Sequence, residues 1–153
     1  MRLLIVDDEL DLCCLLQEHF EEHFDGEVFT ATTPGEALRL LEQLQPEGML
    51  LDINLRSRLN GFDVLSRASE ISPATKVIMV TGANDFESVE KALMLGAVDY
   101  ITKPFTVEYL EETVDSKIAT HLMYALDFAR HYDRTRYEVK AEEVGRIDAT
   151  AKQ

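Results

Sequence analysis

Short continuous apolar runs alternate along this chain with longer segments of helical spacing. Leu3-Leu4-Ile5-Val6, Met49-Leu50-Leu51 and Val77-Ile78-Met79-Val80 are unbroken by polar residues, which is the pattern of strands buried on both faces. With Val28–Ala31 and Val98–Thr102 they predict five strands, over residues 2–6, 28–31, 48–52, 76–80 and 98–102. Between them the apolar positions recur every three or four residues. Leu12, Leu15, Leu16, His19 and Phe20 mark a first helix, and Ala37, Leu38, Leu41 and Leu44 a second. Thr33 followed by Pro34 and Glu36 reads as the start of that second helix. A third opens at Gly61 and stops at Ile71-Ser72-Pro73; a fourth begins at Asn84-Asp85-Phe86 and carries Val89, Ala92 and Leu93. The last follows Phe105-Thr106, with Leu110, Val114, Ile118 and Leu122 on one side.

Strand then helix, five times over, implies right-handed crossovers and a parallel sheet covered on both faces, an α/β fold. The last helical pattern breaks the scheme. It continues through Leu126 and Ala129 to about Tyr132 without Gly or Pro. From Glu108 that is on the order of 35–40 Å of helix, more than the sheet can cover. Residues 1–120 therefore read as one domain, and 121–153 as a helical extension with a polar tail, serving as a dimerisation element or a linker.

Charge changes the picture only by where it lies. The net charge is −14, and after residue 120 six basic and six acidic residues cancel, so the excess sits in the first 120. An acidic body repels phosphate backbones, which argues against direct nucleic-acid binding. Adjacent Cys13 and Cys14 form no disulfide or metal-ligand pattern, and no apolar run reaches membrane-span length. The expectation is a reduced, cytoplasmic protein with no membrane contact. His19, His23, His121 and His131 read as ordinary helix residues.

The candidate chemistry is at the strand ends. Asp7 and Asp8, Asp52, Thr81 and Lys103 each stand at or just past the carboxyl end of a different predicted strand. That is where an open parallel sheet binds ligands. Three converging carboxylates repel one another unless a cation lies among them or their pKa values rise. An all-oxygen set with room for water suits Mg²⁺. A carboxylate beside such a cation is a nucleophile toward phosphorus, with Lys103 and the Thr81 hydroxyl left to hold phosphoryl oxygens. Any one of these residues alone is ordinary strand-end polarity; the ordered set is not.

Together these residues resemble the receiver domain of two-component response regulators. The resemblance covers about residues 1–120 and rests on Leu4-Ile5-Val6-Asp7-Asp8-Glu9, Leu50-Leu51-Asp52, Val80-Thr81-Gly82, Gly96-Ala97-Val98-Asp99-Tyr100 and Lys103-Pro104-Phe105. It implies a flavodoxin-like, doubly wound, five-stranded sheet of order 2-1-3-4-5. It implies Asp52 as phosphoacceptor, with Asp7, Asp8 (the preferred direct ligand), Asp52 and the main-chain carbonyl of Asn54 around Mg²⁺. Thr81 and Tyr100 resemble the switch pair, and Lys103 the phosphate-contacting lysine, with a cis bond to Pro104. The implied donor is a phosphohistidine on a sensor histidine kinase or histidine phosphotransfer protein. Read-out would pass through the face of helix 4, strand 5 and helix 5. One departure stands out: the family usually has Pro four residues after the acceptor and Gly eight after, whereas this chain has Arg56 and, nine residues on, Gly61.

The reading is thus a phosphorylation switch in a phosphorelay, not an enzyme beyond its own phosphorylation and dephosphorylation. Two alternatives differ in class. A phosphorylation-independent interaction or dimerisation module would not need the intact acids, Thr81 and Lys103. A Mg²⁺-dependent phosphatase would need a second catalytic acid and a cap, and Asp52 is followed by Ile53-Asn54 with no large insertion.

Overall fold

Parallel pairing joins five strands in one sheet, as the alternation implied, and in the order β2-β1-β3-β4-β5 that the resemblance implied. The strands are β1 (Arg2–Val6), β2 (Glu27–Ala31), β3 (Gly48–Asp52), β4 (Lys76–Gly82) and β5 (Asp99–Lys103). The helices are α1 (Leu10–His23), α2 (Pro34–Leu44), α3 (Gly61–Ile71), α4 (Phe86–Met94) and α5, residues 107–123. The structure is a computed structural model that describes residues 1–82 and 85–123. The expected extension of the last helix through Leu126, Ala129 and Tyr132, His131 and the tail lie outside the described residues, as does Asn84.

Side-chain alternation along the strands divides the core in two. Leu4, Val6, Met49, Leu51, Val77 and Met79 face α2, α3 and α4. Leu3, Ile5, Leu50, Ile78, Val80 and Ile101 face α1 and α5. All these strand residues are essentially inaccessible to water, which is why the strands read as continuous apolar runs. Helix starts are marked by side-chain caps. Thr33 Oγ1 accepts the Glu36 N–H at 3.2 Å, and Asn60 with Asp63 forms a reciprocal capping box.

Helix α5 keeps Leu110, Val114, Ile118 and Leu122 all buried on one face. A regular α-helix would rotate such a fourfold repeat about 40° per step away from the sheet. Here Leu110–Val114 and Ala119–Met123 are π-wound, with the Asp115 N–H donating to the Leu110 carbonyl. These wider turns rotate the stripe back, so one apolar line stays on the core. Leu122 ends that line against Gly48, where β3 begins: an added methyl at Gly48 would lie 2.8 Å from Leu122 Cδ2.

Strand β4 runs two residues further than its apolar pattern. Thr81 and Gly82 pair with Thr102 and Lys103, so Thr81 is inside the sheet rather than beyond its end. Among the described residues, no helix is long and apolar enough to cross a membrane.

Candidate functional site

Strand register brings the polar ends together. Val6 pairs with Leu51, Asp52 with Val80, and Gly82 with Lys103, so Asp7, Asp52 and Lys103 emerge along one edge of the sheet. Asp7 and Asp52 are buried, Asp8 is half-buried, and one carboxylate oxygen of each lies within 4.8 Å of the others. Lys103 closes the group. Its Nζ is 2.8 Å from Asp7 Oδ2, 3.1 Å from Asp52 Oδ2 and 3.8 Å from Glu9 Oε1. The Lys103–Pro104 peptide is cis.

Each oxygen has a defined partner. Asp52 Oδ1 accepts the Asn54 N–H at 3.0 Å, which leaves Oδ2 to Lys103. Asp7 Oδ1 accepts the Glu9 N–H at 2.8 Å. Burial raises the pKa of Asp52 above the ordinary carboxylate value; the Asn54 N–H opposes this, Asp7 reinforces it, and Lys103 opposes it. Burial works to lower the Lys103 pKa, but its bond to Asp7 and the fields of Asp52 and Asp7 outweigh that and raise it. The Asp52 shift expresses burial first and the nearby Asp7 charge second, and the Lys103 shift expresses the two acids around it. The donor set is entirely oxygen, fits a small hard divalent cation, and is charged enough to want one.

The loop after Asp52 departs from the family pattern to a specific effect. The Arg56 N–H donates to Asp8 Oδ2 at 3.3 Å, and its guanidinium Nε lies 3.7 Å from the same oxygen. Proline in that position would offer no N–H. Although the segment reads as polar, Ile53 and Leu55 are buried in the core. The Gly61 N–H donates to the Ile53 carbonyl at 3.1 Å, returning the chain to the site.

The sequence-derived residues are not all in contact. The buried Thr81 hydroxyl donates to the Gly82 carbonyl at 3.3 Å rather than reaching Asp52. Tyr100 is half-buried against the core, three residues before Lys103 along β5. Lys117 of α5 holds it: Nζ is 2.5 Å from the Tyr100 carbonyl oxygen, 3.0 Å from Asp99 Oδ1 and 4.8 Å from the Tyr100 ring centroid. His121 Nε2 is 3.0 Å from Asp99 Oδ2. His121 is therefore more than an ordinary helix residue, and its acid partner comes from a strand 22 positions earlier, beyond any helical spacing. Burial would raise the Asp99 pKa, but hydrogen bonds from Lys117 and His121 hold it below the usual range.

Cys13 lies directly beneath the acids, its thiol donating to the Asp7 carbonyl at 3.3 Å. Burial first, and then the nearby Asp7 charge, push its pKa to about 11, so it is an inert thiol. Glu9 and Arg56 join the site without having been singled out for it; both are exposed, and only the folded loops bring them near Lys103 and Asp8.

Comparison with known proteins agrees with this geometry. A family model described as the response regulator receiver domain matches residues 3–115. The chain is 36% identical over 118 residues to the probable C4-dicarboxylate response regulator DctR of Priestia megaterium, covering 74% of this chain and 49% of that one. It thus spans about half the length of that relative. It is 27% identical to sporulation initiation phosphotransferase F of Bacillus subtilis, covering 74% of this chain and 90% of that one. The crystal structure of the receiver domain of NtrX from Brucella abortus superposes with a TM-score of 0.68 at 31% identity, covering 77% of this chain and 98% of that one.

Proposed function

Because this chain belongs to the response regulator receiver domain family, we propose that Asp52 is its phosphoacceptor, charged by a phosphohistidine on a sensor histidine kinase or a histidine phosphotransfer protein. The observation that carries this is the state of the Asp52 carboxylate. It is buried, held by Lys103 on one oxygen and by the Asn54 N–H on the other, and set within 4.8 Å of the other two acids. A bond forms between a carboxylate oxygen and phosphorus as the phosphorus–nitrogen bond of the donor breaks, and the electron pair leaves with the imidazole.

Asp7, Asp8, Asp52 and the main-chain carbonyl of Asn54 would hold Mg²⁺. The bound ion supplies neutralisation of phosphoryl oxygen charge. Lys103 would keep its bond to Asp7 and follow a phosphoryl oxygen in place of Asp52 Oδ2. The Thr81 hydroxyl would exchange the Gly82 carbonyl for another phosphoryl oxygen, vacating space that the Tyr100 ring enters. Tyr100 movement disturbs Lys117 on α5, which contacts both its carbonyl and its ring. Read-out through α4, β5 and α5 rests on that linkage, and homodimerisation through the chain beyond residue 120 is the output we favour.

Incubation of the full chain with Mg²⁺ and acetyl phosphate tests the assignment. Wild type should gain the mass of one phosphoryl group, and Asp52→Asn should gain none. Equal labelling of the variant would overturn it. Sedimentation with and without beryllofluoride, an aspartyl-phosphate mimic, tests the dimer; unchanged association would remove that output.

A further inference from the structure

A second cluster of metal-ligating side chains lies away from the phosphoacceptor centre, where α1 and α5 meet on the same face of the sheet. His19 and His23 are four residues apart on α1, so their side chains share one face of the helix. Their rings stack at 4.1 Å between centroids and 24° between planes. Asp115, on α5, places Oδ1 2.8 Å from His19 Nε2. One ring nitrogen of each histidine and one carboxylate oxygen of Asp115 lie within 4.8 Å of one another.

We propose that His19, His23 and Asp115 form a site for a divalent transition-metal ion of the zinc class, one that ties α1 to α5. Two imidazoles with one carboxylate is a donor set for such an ion, and it is unlike the all-oxygen set at Asp52. The hydrogen bonding prepares it. His23 Nδ1 sits 2.7 Å from the His19 main-chain oxygen, which can only accept, so Nδ1 carries the proton and, in the neutral ring, Nε2 has the free lone pair. A backbone bond on the second ring nitrogen is how a protein fixes the tautomer of a ligating histidine. The side chains of His19 and Asp115 are 11% and 15% exposed, sheltered but not sealed.

A groove of about 230 Å³ borders the site at His19 and is lined also by Leu15, Glu18, Glu22, Phe105 and Leu110. Glu18 and Glu22 add negative potential beside His19. An imidazole lone pair lies in its ring plane, so the exposed His23 ring must turn out of the stack for its Nε2 to point at an ion held by His19 and Asp115. Donors about 2.0–2.1 Å from a tetrahedral ion stand about 3.3 Å apart. His19 Nε2 and Asp115 Oδ1, at 2.8 Å, would separate by roughly half an ångström. The proton they share must leave as the ion enters, so binding releases or displaces a proton.

The test is a titration of the full-length chain with ZnCl₂ in excess Mg²⁺, followed by calorimetry and thermal melting. One Zn²⁺ should bind per chain and raise the melting midpoint, because the ion binds only the folded arrangement of two helices. His23→Ala changes an exposed residue and should keep the fold while weakening binding at least about tenfold and abolishing the midpoint shift. Asp115→Asn should do the same, and Asp52→Asn should change neither. Undiminished binding by His23→Ala and Asp115→Asn, or binding lost in Asp52→Asn alone, would overturn the proposal.

Discussion

Gly61, the first residue of α3, is pressed against the backbone of Asp52. A methyl group there would fall inside the van der Waals surface of the Asp52 carbonyl oxygen and 2.7 Å from Ile53 Cα. The atoms in the way are main chain, at the end of the strand that carries Asp52, so no side chain can swing aside. Gly61→Ala is expected to destabilise the domain by about 1–3 kcal/mol through overpacking. It should also slow phosphorylation from acetyl phosphate more than its stability loss explains, because the displaced atoms carry Asp52. Denaturant melts alongside phosphorylation rates check this; a variant of normal stability and rate would show that α3 shifts without moving Asp52.

Asp52 is held at the expense of stability. Its folded pKa is raised, chiefly by burial, so over the interval between the unfolded and folded values the native state binds more protons than the unfolded chain. Stability therefore falls as pH rises through that interval, and ionised Asp52 weakens the cation-free fold at neutral pH. Asp52→Asn should be more stable than wild type at pH 7 by on the order of 1 kcal/mol without Mg²⁺. The difference should shrink as pH falls below the ordinary carboxylate value. Melting curves at several pH values decide it; a less stable variant at pH 7 would mean that the Lys103 ion pair outweighs burial.

Lys103 is the ammonium that stands among the acids, with Nζ 2.8 Å from Asp7 Oδ2 and 3.1 Å from Asp52 Oδ2. Burial opposes its charge, but the two acids raise its folded pKa. Its stabilising contribution is thus complete below the ordinary lysine value and lost as pH climbs through the raised one. Lys103→Met should cost about 1–3 kcal/mol near neutral pH, leaving the buried acids without their cation. Mg²⁺ should raise the melting midpoint of this variant more than that of wild type, since it replaces the missing charge. Equal Mg²⁺ shifts in the two proteins would contradict that account.

At the opposite end of β3, Gly48 leaves room for Leu122, the last apolar residue of the α5 stripe. Gly48→Ala should destabilise by about 1–3 kcal/mol by forcing Leu122 off the strand. Leu122→Ala alone should cost about 2–5 kcal/mol as a buried truncation. The double variant should cost less than the sum, because the methyl fills part of the space that Leu122 vacates. Strict additivity in a double-mutant cycle would mean that the two residues do not share that space.

Much of this protein is legible in its sequence because its signals are local. A continuous apolar run ending in Asp7 or Asp52 specifies a buried strand and a polar terminus whatever the rest of the chain does. Turn and cap residues such as Thr33-Pro34 and Asn60 place the helices between them, and right-handed crossovers turn that alternation into one sheet. The ordered set of strand-end residues could therefore be assembled without coordinates.

Distances, pairing partners and protonation belong to tertiary structure, because they join residues that no local period relates. Register with β5 extended β4 through Thr81 and directed its hydroxyl to the Gly82 carbonyl, away from Asp52. The fold of the loop gave Asp8 the Arg56 N–H, where sequence comparison showed only a missing proline. Packing of α5 across the sheet required π-wound turns and brought Asp115 to His19, 96 positions away. The sequence determined which chemical groups the strands would present. Burial and register decided which of them meet, and which charges are left wanting a cation.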